Sequence, residues 1–400
     1  MMFLGWFLIA SGILCVGYGY IGWRLLVPAA LPKPWKAAAW IMLIFFGLLP
    51  PLTMFLQINR YEHSLGTILS WSSYLSLGFF SSLLTFLIIR DLIWLLGSGV
   101  RIVIKFVRHL LAPGPTPVPA RDPERRRFII RSMNLGILGV TGAVTGYGLF
   151  EARRRPATVE VEVPIKNLPR DLEGFRIVQI TDIHAGLTVK RPFVETVVEQ
   201  ANSLSPDIIA FTGDLVDGSV SHLRDEVAPM QELSARHGRY FITGNHEYYS
   251  GAEAWVEHVD RMGFIVLLNE HRIVHHGTGR ILLCGITDYS AGQFVRNHAS
   301  DPRAAVEGAP PSDVKILLAH QPRSLYAALP FGFDLQLSGH THGGQFFPWN
   351  LLAAAGQPYI SGLHRHYNTW VYVSRGTGYW GPPIRLAARS EVTLIKLIGA

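Results

Sequence analysis

Residues 3–23 and 37–57 each run 21 residues without a charged side chain, and residues 64–89 run 26. A hydrocarbon core about 30 Å thick needs about 20 apolar residues in a helix, so each run is long enough to cross one. One such run alone would read as a buried core helix. Three within the first 90 residues make a membrane region the expected fold of this part. Pro50-Pro51 interrupts the second run, which a membrane helix accommodates as a kink. A fourth uncharged segment, residues 132–150, is the weakest of the set, because its glycines add little hydrophobicity.

Charge supports this division. Residues 1–156 hold 16 Lys and Arg against 5 Asp and Glu, net +11, and the remainder holds 20 against 24, net −4. A basic chain can signal nucleic acid. Here the basic half is also the apolar half, which points to a membrane, and no nucleic-acid partner is expected. Arg101, Lys105, Arg108, Arg121, Arg125, Arg126 and Arg127 fall between the third and fourth runs. Arg24, Lys33 and Lys36 fall between the first and second, and only Arg60 between the second and third. The positive-inside rule makes the first and third loops cytoplasmic. Four spans then place everything after residue 151 outside the cytoplasm, with Arg153, Arg154 and Arg155 counting against that orientation. Residues 112–120 (APGPTPVPA) read as a semi-extended Pro-rich linker. Arg125-Arg126-Arg127-Phe128-Ile129-Ile130, ahead of the fourth segment, resembles a twin-arginine export signal placed internally, and reads equally well as a plain positively flanked anchor. Cys15 and Cys284 are the only cysteines, which excludes a disulfide scaffold and a Cys-rich zinc site.

From residue 157 the pattern changes. Residues 158–163 alternate polar and apolar as a strand does. Short β-rich runs follow at 176–180, 208–211, 240–242, 281–284, 315–318 and 335–337, with helical stretches between several of them, as at 192–204 and 252–262. An α/β domain of about 240 residues, large enough for its own core, is expected.

The strand ends carry the chemistry. The run 176–180 leads into Thr181-Asp182-Ile183-His184, and 208–211 into Thr212-Gly213-Asp214-Leu215-Val216-Asp217. The run 240–242 leads into Thr243-Gly244-Asn245-His246-Glu247, 315–318 into Ala319-His320-Gln321, and 335–337 into Ser338-Gly339-His340-Thr341-His342. In an open α/β sheet, ligands sit beyond the carboxyl ends of the strands, so these side chains can converge on one cleft. Asp182 and His184 are two apart, as are His340 and His342, a spacing that points both side chains of an extended segment to one side. Carboxylates, imidazoles and one amide, with no thiolate, suit Mn, Fe or Zn. The donors outnumber what one four-coordinate ion needs. That argues for a pair sharing a carboxylate, the arrangement that clamps an in-line displacement at phosphorus and lowers the pKa of a bridging water.

Asp182-Ile183-His184, Gly213-Asp214 with Asp217, Gly244-Asn245-His246-Glu247, His320, and Gly339-His340-Thr341-His342 resemble, block by block and in order, the calcineurin-like metallophosphoesterases. With membrane runs in front, the chain is similar to the membrane-anchored, exported branch of that family. The resemblance implies a sandwich of two β-sheets flanked by helices and a pair of divalent ions. It implies Asp182, His184 and His342 on one ion, Asp214 bridging both, and Asn245, His320 and His340 on the other. His246 would be the catalytic imidazole, and Asp217 would orient it by a hydrogen bond. The implied reaction is hydrolysis of a phosphomono- or diester by direct attack of metal-activated hydroxide, with no covalent phosphoenzyme.

The expected organisation is a membrane region with three transmembrane helices at 1–111, a basic Pro-rich linker at 112–127, a fourth apolar segment at 128–156 and a catalytic domain at 157–400. Tethering at a bilayer favours an envelope substrate such as a phospholipid or a lipid-linked phosphate. Two other functions fit less of the pattern. A transporter or receptor with a metal-binding sensory domain would want charges inside the spans. A cytoplasm-facing nucleotide phosphodiesterase would want an odd number of spans. Glu247 reads as support for the ligands. Arg375 and Arg385, in a turn-rich segment, read as loop packing near the site in preference to phosphate contacts. His364 and His366 read as strand-surface residues. Tyr248, Tyr249, Phe346, Phe347 and Trp349 flank the motifs, either as rim packing or as contacts to an apolar substrate or membrane interface.

Overall fold

The computed structural model describes residues 2–58, 64–111 and 122–400. The chain divides into two compact units, residues 1–56 with 72–147 and residues 57–71 with 148–400. Four helices open the chain: α1 (Met2–Leu26), α2 (Lys33–Ile58), α3 (Ser64–Leu111) and α4 (Pro123–Arg153). Among the described residues, Lys33–Leu56, Gly66–Arg108 and Pro123–Arg153 are long and apolar enough to cross a membrane. The helix α1 adds 25 residues whose one charge is Arg24.

Helix α3 runs 48 residues, through Arg101, Lys105 and Arg108, which the charge pattern assigns to a loop. No proline lies between Ile89 and Leu111, so although Gly97 and Gly99 are poor helix formers nothing breaks the helix there. Helix α4 starts at Pro123, because Asp122 Oδ1 accepts from the backbone N–H groups of Glu124 (2.9 Å) and Arg125 (3.1 Å), with proline at the first helical position, where no donor is needed. Residues 123–127 of the expected linker are therefore the first turns of α4, and the Pro-rich stretch 112–120 lies outside the described residues.

In the first unit, α2 continues through Pro50 and Pro51, which remove the N–H donors to the carbonyls of Phe46 and Gly47, and Thr53 Oγ1 donates to Pro50 O at 3.0 Å. One charged cluster links α1, α3 and α4. Asp91 accepts from Tyr20, Arg24 and Arg90, Arg90 Nη1 donates to Asn134 Oδ1 (2.5 Å), and Asn134 Nδ2 donates to Arg24 O (3.0 Å). Most of its polar atoms pair within the cluster, as polar groups among apolar helices tend to, while Arg24 Nε is left without a partner.

The second unit contains two mixed six-stranded sheets. The first has the order β1 (Ala157–Ile165), β12 (Glu391–Gly399), β2 (Arg176–Ile180), β3 (Ile208–Phe211), β4 (Arg239–Phe241), β5 (Ile265–Val266). The second has the order β10 (Gly362–His366), β11 (Thr369–Val373), β9 (Leu335–Ser338), β8 (Val314–Leu318), β7 (Gly279–Gly285), β6 (Glu270–His276). Strands β2 to β5 are parallel, as are β7, β8, β9 and β11, so the carboxyl ends that carry the motifs lie together in each sheet. The remaining helices are α5 (Arg191–Ser203), α6 (Val220–Val227), α7 (Asn245–Ser250), α8 (Ala252–Arg261), α9 (Pro302–Val306), α10 (Leu325–Ala328) and α11 (Trp349–Gly356).

Strand alternation builds the layers. Ile177, Ile208 and Ala210 face Ile281, Leu283, Ile316, Leu318 and Leu335 across the inter-sheet core. Their neighbours Val178, Ile180, Ile209 and Phe211 face outward onto Val194, Val197 and Val198 of α5 and Trp255 and Val259 of α8. Because both faces are covered, the central strands read as continuous apolar runs. Each fully buried branched or aromatic side chain contributes about 1.5–3 kcal/mol, which makes this core a rigid support for the loops at its rim.

Candidate metal centre

Every predicted site residue follows a strand: Asp182 and His184 follow β2, Asp214 and Asp217 follow β3, Asn245, His246 and Glu247 follow β4, His320 follows β8, and His340 and His342 follow β9. Their backbones interlock. Asp182 N donates to Gly213 O (3.0 Å), His184 N to Asp214 O (3.2 Å), and Gly339 N to His320 O (3.0 Å). His340 N donates to both carboxylate oxygens of Asp182, at 3.0 Å each.

The pairs two apart converge by a route other than strand alternation. Asp182, His184, Asp214, His340 and His342 all have positive φ, between 51° and 69°. Eleven described non-glycine residues have positive φ, and five of them are candidate ligands. Each left-handed residue costs about 1–2 kcal/mol, and strain of this kind gathers where a site dictates the backbone. Gly213 has φ +94°, and a Cβ there would lie 2.5 Å from Gly244 N and 2.9 Å from His320 Nδ1. Only glycine lets these three loops close on one another.

Two groups of donors result: Asp182, His184 and His342 form one, and Asp214, His320 and His340 the other, each with one ligand atom per residue within 4.8 Å of the rest. His184 Nε2 and His342 Nε2 are 3.0 Å apart, and they lie 3.9 Å and 3.5 Å from Asp182 Oδ1. Asp214 Oδ2 lies 3.1 Å from His320 Nε2 and 3.7 Å from His184 Nε2, so it faces both groups. The donors fit divalent cations. His320 Nε2 and Asn245 Oδ1 are buried without a hydrogen-bond partner, the 3.1 Å approach of His320 to Asp214 lacking hydrogen-bond direction. Eleven buried side-chain atoms among the described residues lack a partner, and these two stand among converging carboxylates and imidazoles, where a cation would satisfy them.

The charges agree with that chemistry. Burial pushes the Asp214 carboxyl up, but the His320 and His246 rings overcome it and hold Asp214 well below the usual carboxylate range. Asp182 is instead raised, by burial and by the Asp214 charge, so of the two acids Asp214 is the one firmly ionised. His340 falls to about 3, through burial and the neighbouring His320, and His342 falls well below its ordinary value through burial, His184 and the Arg385 guanidinium. Neutral imidazoles are the form that binds metals. In His320 burial also favours that form, but the Asp214 charge outweighs it and holds the ring well above its ordinary value, so a cation would have to displace that proton.

His246 Nδ1 lies 2.5 Å from Asp217 Oδ1, and the same oxygen lies 3.1 Å from His184 Nδ1. Burial opposes the His246 imidazolium, yet the Asp217 and Asp214 charges raise its pKa to about 9. Glu247 is an anchor. It accepts from Asp214 N (2.9 Å), Leu215 N (2.8 Å) and Gly244 N (2.6 Å), fastening β3's loop to the start of α7. Burial and Asp214 raise it to about 7.

Other residues fall apart from the donor groups. Arg385 is fully buried and donates to the carbonyls of Arg375 (2.8 Å), Ala388 (2.8 Å) and His342 (3.2 Å), with Nη2 3.0 Å from His342 Nδ1. It braces the loop beneath a candidate ligand, and Arg375 pairs with Glu391 at 3.3 Å. His364 stacks on Tyr359 (4.2 Å between centroids), and His366 bonds the Tyr359 hydroxyl. Of the flanking aromatics, Tyr248 and Phe346 are buried, while Tyr249, Phe347 and Trp349 are exposed. Sequence reasoning missed Trp380, whose ring lies 5.6 Å from that of His246; an aromatic inside a Gly/Pro-rich segment was the available signal. It also missed a third His/Asp group, Asp207, His237 and His276, which precede β3, precede β4 and end β6.

The relatives agree with the geometry. A family model described as calcineurin-like phosphoesterase matches residues 175–344. A zebrafish (Danio rerio) transmembrane protein with metallophosphoesterase domain is 41% identical over 64% of this chain and 61% of its own length. An uncharacterized metallophosphoesterase of Helicobacter pylori is 38% identical over 65% of this chain and 70% of its own. A solved sulfate thiohydrolase of Thermus thermophilus is 15% identical over 62% of this chain and 54% of that one, with a TM-score of 0.35, a distance that says nothing of substrate. The chain thus spans under two thirds of the zebrafish protein. With five motif blocks meeting at one pit and these matches along the same residues, the chain belongs to the calcineurin-like metallophosphoesterase family.

Proposed function

We propose that this chain is a membrane-anchored phosphoesterase that binds two divalent cations, Mn, Fe or Zn, and hydrolyses phosphomono- or diesters. Family membership implies the hydrolase; the pair of ions rests on Asp214, whose Oδ2 faces His320 at 3.1 Å and His184 at 3.7 Å. Asp182, His184 and His342 would hold one ion, Asn245, His320 and His340 the other, and Asp214 both. When bound, the ions supply Lewis-acid charge that activates water near neutral pH and neutralises phosphoryl oxygens. The chain's own residues do the rest. Asp217 takes the Nδ1–H of His246, leaving Nε2 to meet a phosphoryl oxygen or to give a proton to the leaving group. Glu247 holds the Asp214 backbone, and Arg385 holds the loop of His342. The rings of Tyr249 and Trp380, with centroids 5.0 Å and 5.6 Å from that of His246, wall one side of the imidazole.

The test is purified full-length chain, loaded with Mn and assayed against paired chromogenic mono- and diesters. Turnover that a chelator abolishes is expected; no turnover of either ester sinks the reading.

The assembly is multi-pass, with helices in 1–111 and 128–156 as anchors and residues 157–400 as the catalytic domain outside the cytoplasm. The excess of Lys and Arg between the third and fourth apolar runs supports this orientation. Protease added to cells with a permeabilised outer membrane should clip the catalytic domain, and protection there reverses the orientation. A bilayer-tethered domain suits a phospholipid or lipid-linked phosphate. The transporter reading would need charges along a path, and the Arg24–Asp91–Arg90 cluster bonds within itself.

A further inference from the structure

Helix α11 reads WNLLAAAG, carries no charge and buries none of its residues. Leu351 is 57% and Leu352 64% exposed, and Phe347 and Trp349 beside them are exposed too. A soluble surface scatters such side chains singly, and a contiguous group marks an interaction site. This group borders the pit. It follows the His342–Gly344 turn, and Trp349 N and Asn350 N donate back to Phe346 O at 2.9 Å and 3.3 Å. Gln345 then ties it to a second exposed aromatic. Its Nε2 donates to Trp380 O (3.0 Å) and Pro382 O (2.7 Å), its Oε1 accepts from Trp380 N (3.1 Å), and its carbonyl accepts from Leu386 N (2.9 Å). Trp380 is 52% exposed.

That same loop receives the end of α4, a helix long and apolar enough to cross a membrane. Gly148 O accepts from Arg385 N at 3.0 Å, and a Cβ on Gly148 would press on Leu386 at 3.4 Å and more tightly on Ile384. Phe150, two residues on and so on the other side of the helix, is exposed beneath the Arg154 guanidinium, the aromatic-and-basic pattern of a bilayer interface. Within the catalytic unit, the end of a candidate span, the Trp380 loop, Gln345 and α11 are therefore packed in series. The point at which α4 enters the catalytic unit thus lies at the pit's apolar rim.

We propose that α11, Phe347 and Trp380 form an interfacial contact with the lipid bilayer, and that the pit draws its phosphoester from a lipid headgroup held in that surface. The substrate half rests on the phosphoesterase reading above; the contact half does not. Apolar and amphipathic side chains at this rim gain by entering the headgroup boundary, as interfacial helices do. Apart from Asn350 the helix is apolar, and the Arg323 guanidinium donates to Gly356 O at its end (2.5 Å), an apolar-and-basic combination that suits a lipid headgroup boundary.

The test uses full-length chain in nanodiscs of phosphatidylethanolamine and phosphatidylglycerol. An environment-sensitive dye is attached at Leu352→Cys in a Cys15→Ser background; Cys284 is fully buried and stays unlabelled. The control is Lys166→Cys. Lys166 follows β1, which runs parallel to β12 and so antiparallel to β2, placing it at the pole opposite the pit. Spin-labelled lipid should quench the dye at 352 and leave 166 unquenched. Equal quenching at both positions, or shielding of 352 by a second copy or another protein without lipid quenching, overturns the contact. Leu351→Glu with Leu352→Glu is then assayed on soluble nitrophenyl esters and on vesicles of phosphatidic acid, phosphatidylglycerol and phosphatidylethanolamine. Soluble turnover should hold within about twofold while lipid turnover falls about tenfold or more, the rim's apolar transfer having been lost. Equal loss on both substrates, or no lipid turnover by the parent, overturns the lipid-substrate half. If the parent cleaves no soluble ester either, the phosphoesterase reading fails, and the quenching result still decides the contact.

Discussion

His246 Nδ1 lies 2.5 Å from Asp217 Oδ1. That carboxylate also meets His184 Nδ1 at 3.1 Å, so one oxygen fixes the ring of the proposed acid and of a proposed ligand together. The two roles separate by leaving group. A nitrophenolate departs without a proton, whereas an alkoxide needs one. Asp217→Asn should cut turnover of an alkyl phosphoester about 100-fold or more, the scale of general acid catalysis, and nitrophenyl ester turnover much less. Bound metal, counted by elemental analysis, should stay. An equal loss on both esters together with loss of metal would mean that Asp217 acts through His184 alone.

Cation binding should hold the pit together. His320 Nε2 and Asn245 Oδ1 are buried without partners, and five neighbours hold left-handed backbone. Satisfying these groups links binding to folding, worth about 4 kcal/mol when free metal exceeds its dissociation constant about 1,000-fold. Chelation should therefore lower the melting temperature of the catalytic unit as well as abolish turnover. Asp214→Asn should reproduce both effects and lose metal. A melting temperature indifferent to chelator would refute the coupling.

The strands that carry the motifs were legible because both of their faces are buried. Residues 176–180 and 208–211 coincide with β2 and β3, and 315–318 and 335–337 each miss by one residue. Edge strands were not. β10 reads Gly-Leu-His-Arg-His, and its half-buried residues carry no alternation to find. β6 ends on His275-His276, whose reason for being there is the other sheet: His276 Nδ1 lies 2.9 Å from His237 Nε2, before β4. The site residues were legible as types at strand ends. Their left-handed backbone was not, because Asp and His reach it here through contacts from four other segments. Glu247 was readable as support, but its three N–H partners depend on where β3's loop passes α7. The length of α3 escaped because arginines at 101 and 108 suggest a loop, while their stems suit a helix as well.

Glu247→Gln isolates that anchor. One carboxylate oxygen, Oε2, accepts from both Gly244 N (2.6 Å) and Asp214 N (2.9 Å). An amide that keeps its oxygen on these two donors must turn its NH2 group toward Leu215 N, which then loses its acceptor. Each stranded buried N–H costs about 1–3 kcal/mol. The variant should lose stability on that scale, with weaker metal retention because the loop of Asp214 and Leu215 loosens. Unchanged thermal stability would remove Glu247 from the set that shapes the pit.

The third His/Asp group gives a pH test away from the pit. His237 stands against Phe175 (6.1 Å between centroids) and His276, with Asp207 beside them and Arg236 pairing Asp207 at 3.4 Å. Burial, then the His276 ring, hold its pKa below the ordinary 6.5, outweighing Asp207. The folded form thus resists a proton that the unfolded chain accepts. Its stabilising effect is complete above the unfolded pKa and is lost as pH falls below about 6.5 toward the lower folded value. His237→Gln keeps a hydrogen-bonding group near His276 but cannot titrate. Relative to the parent, this variant should be less stable near neutrality and should close that gap as pH falls toward about 5. Melting curves of the full-length chain in detergent decide it. A gap that stays constant across that range would show that His237 contributes packing alone.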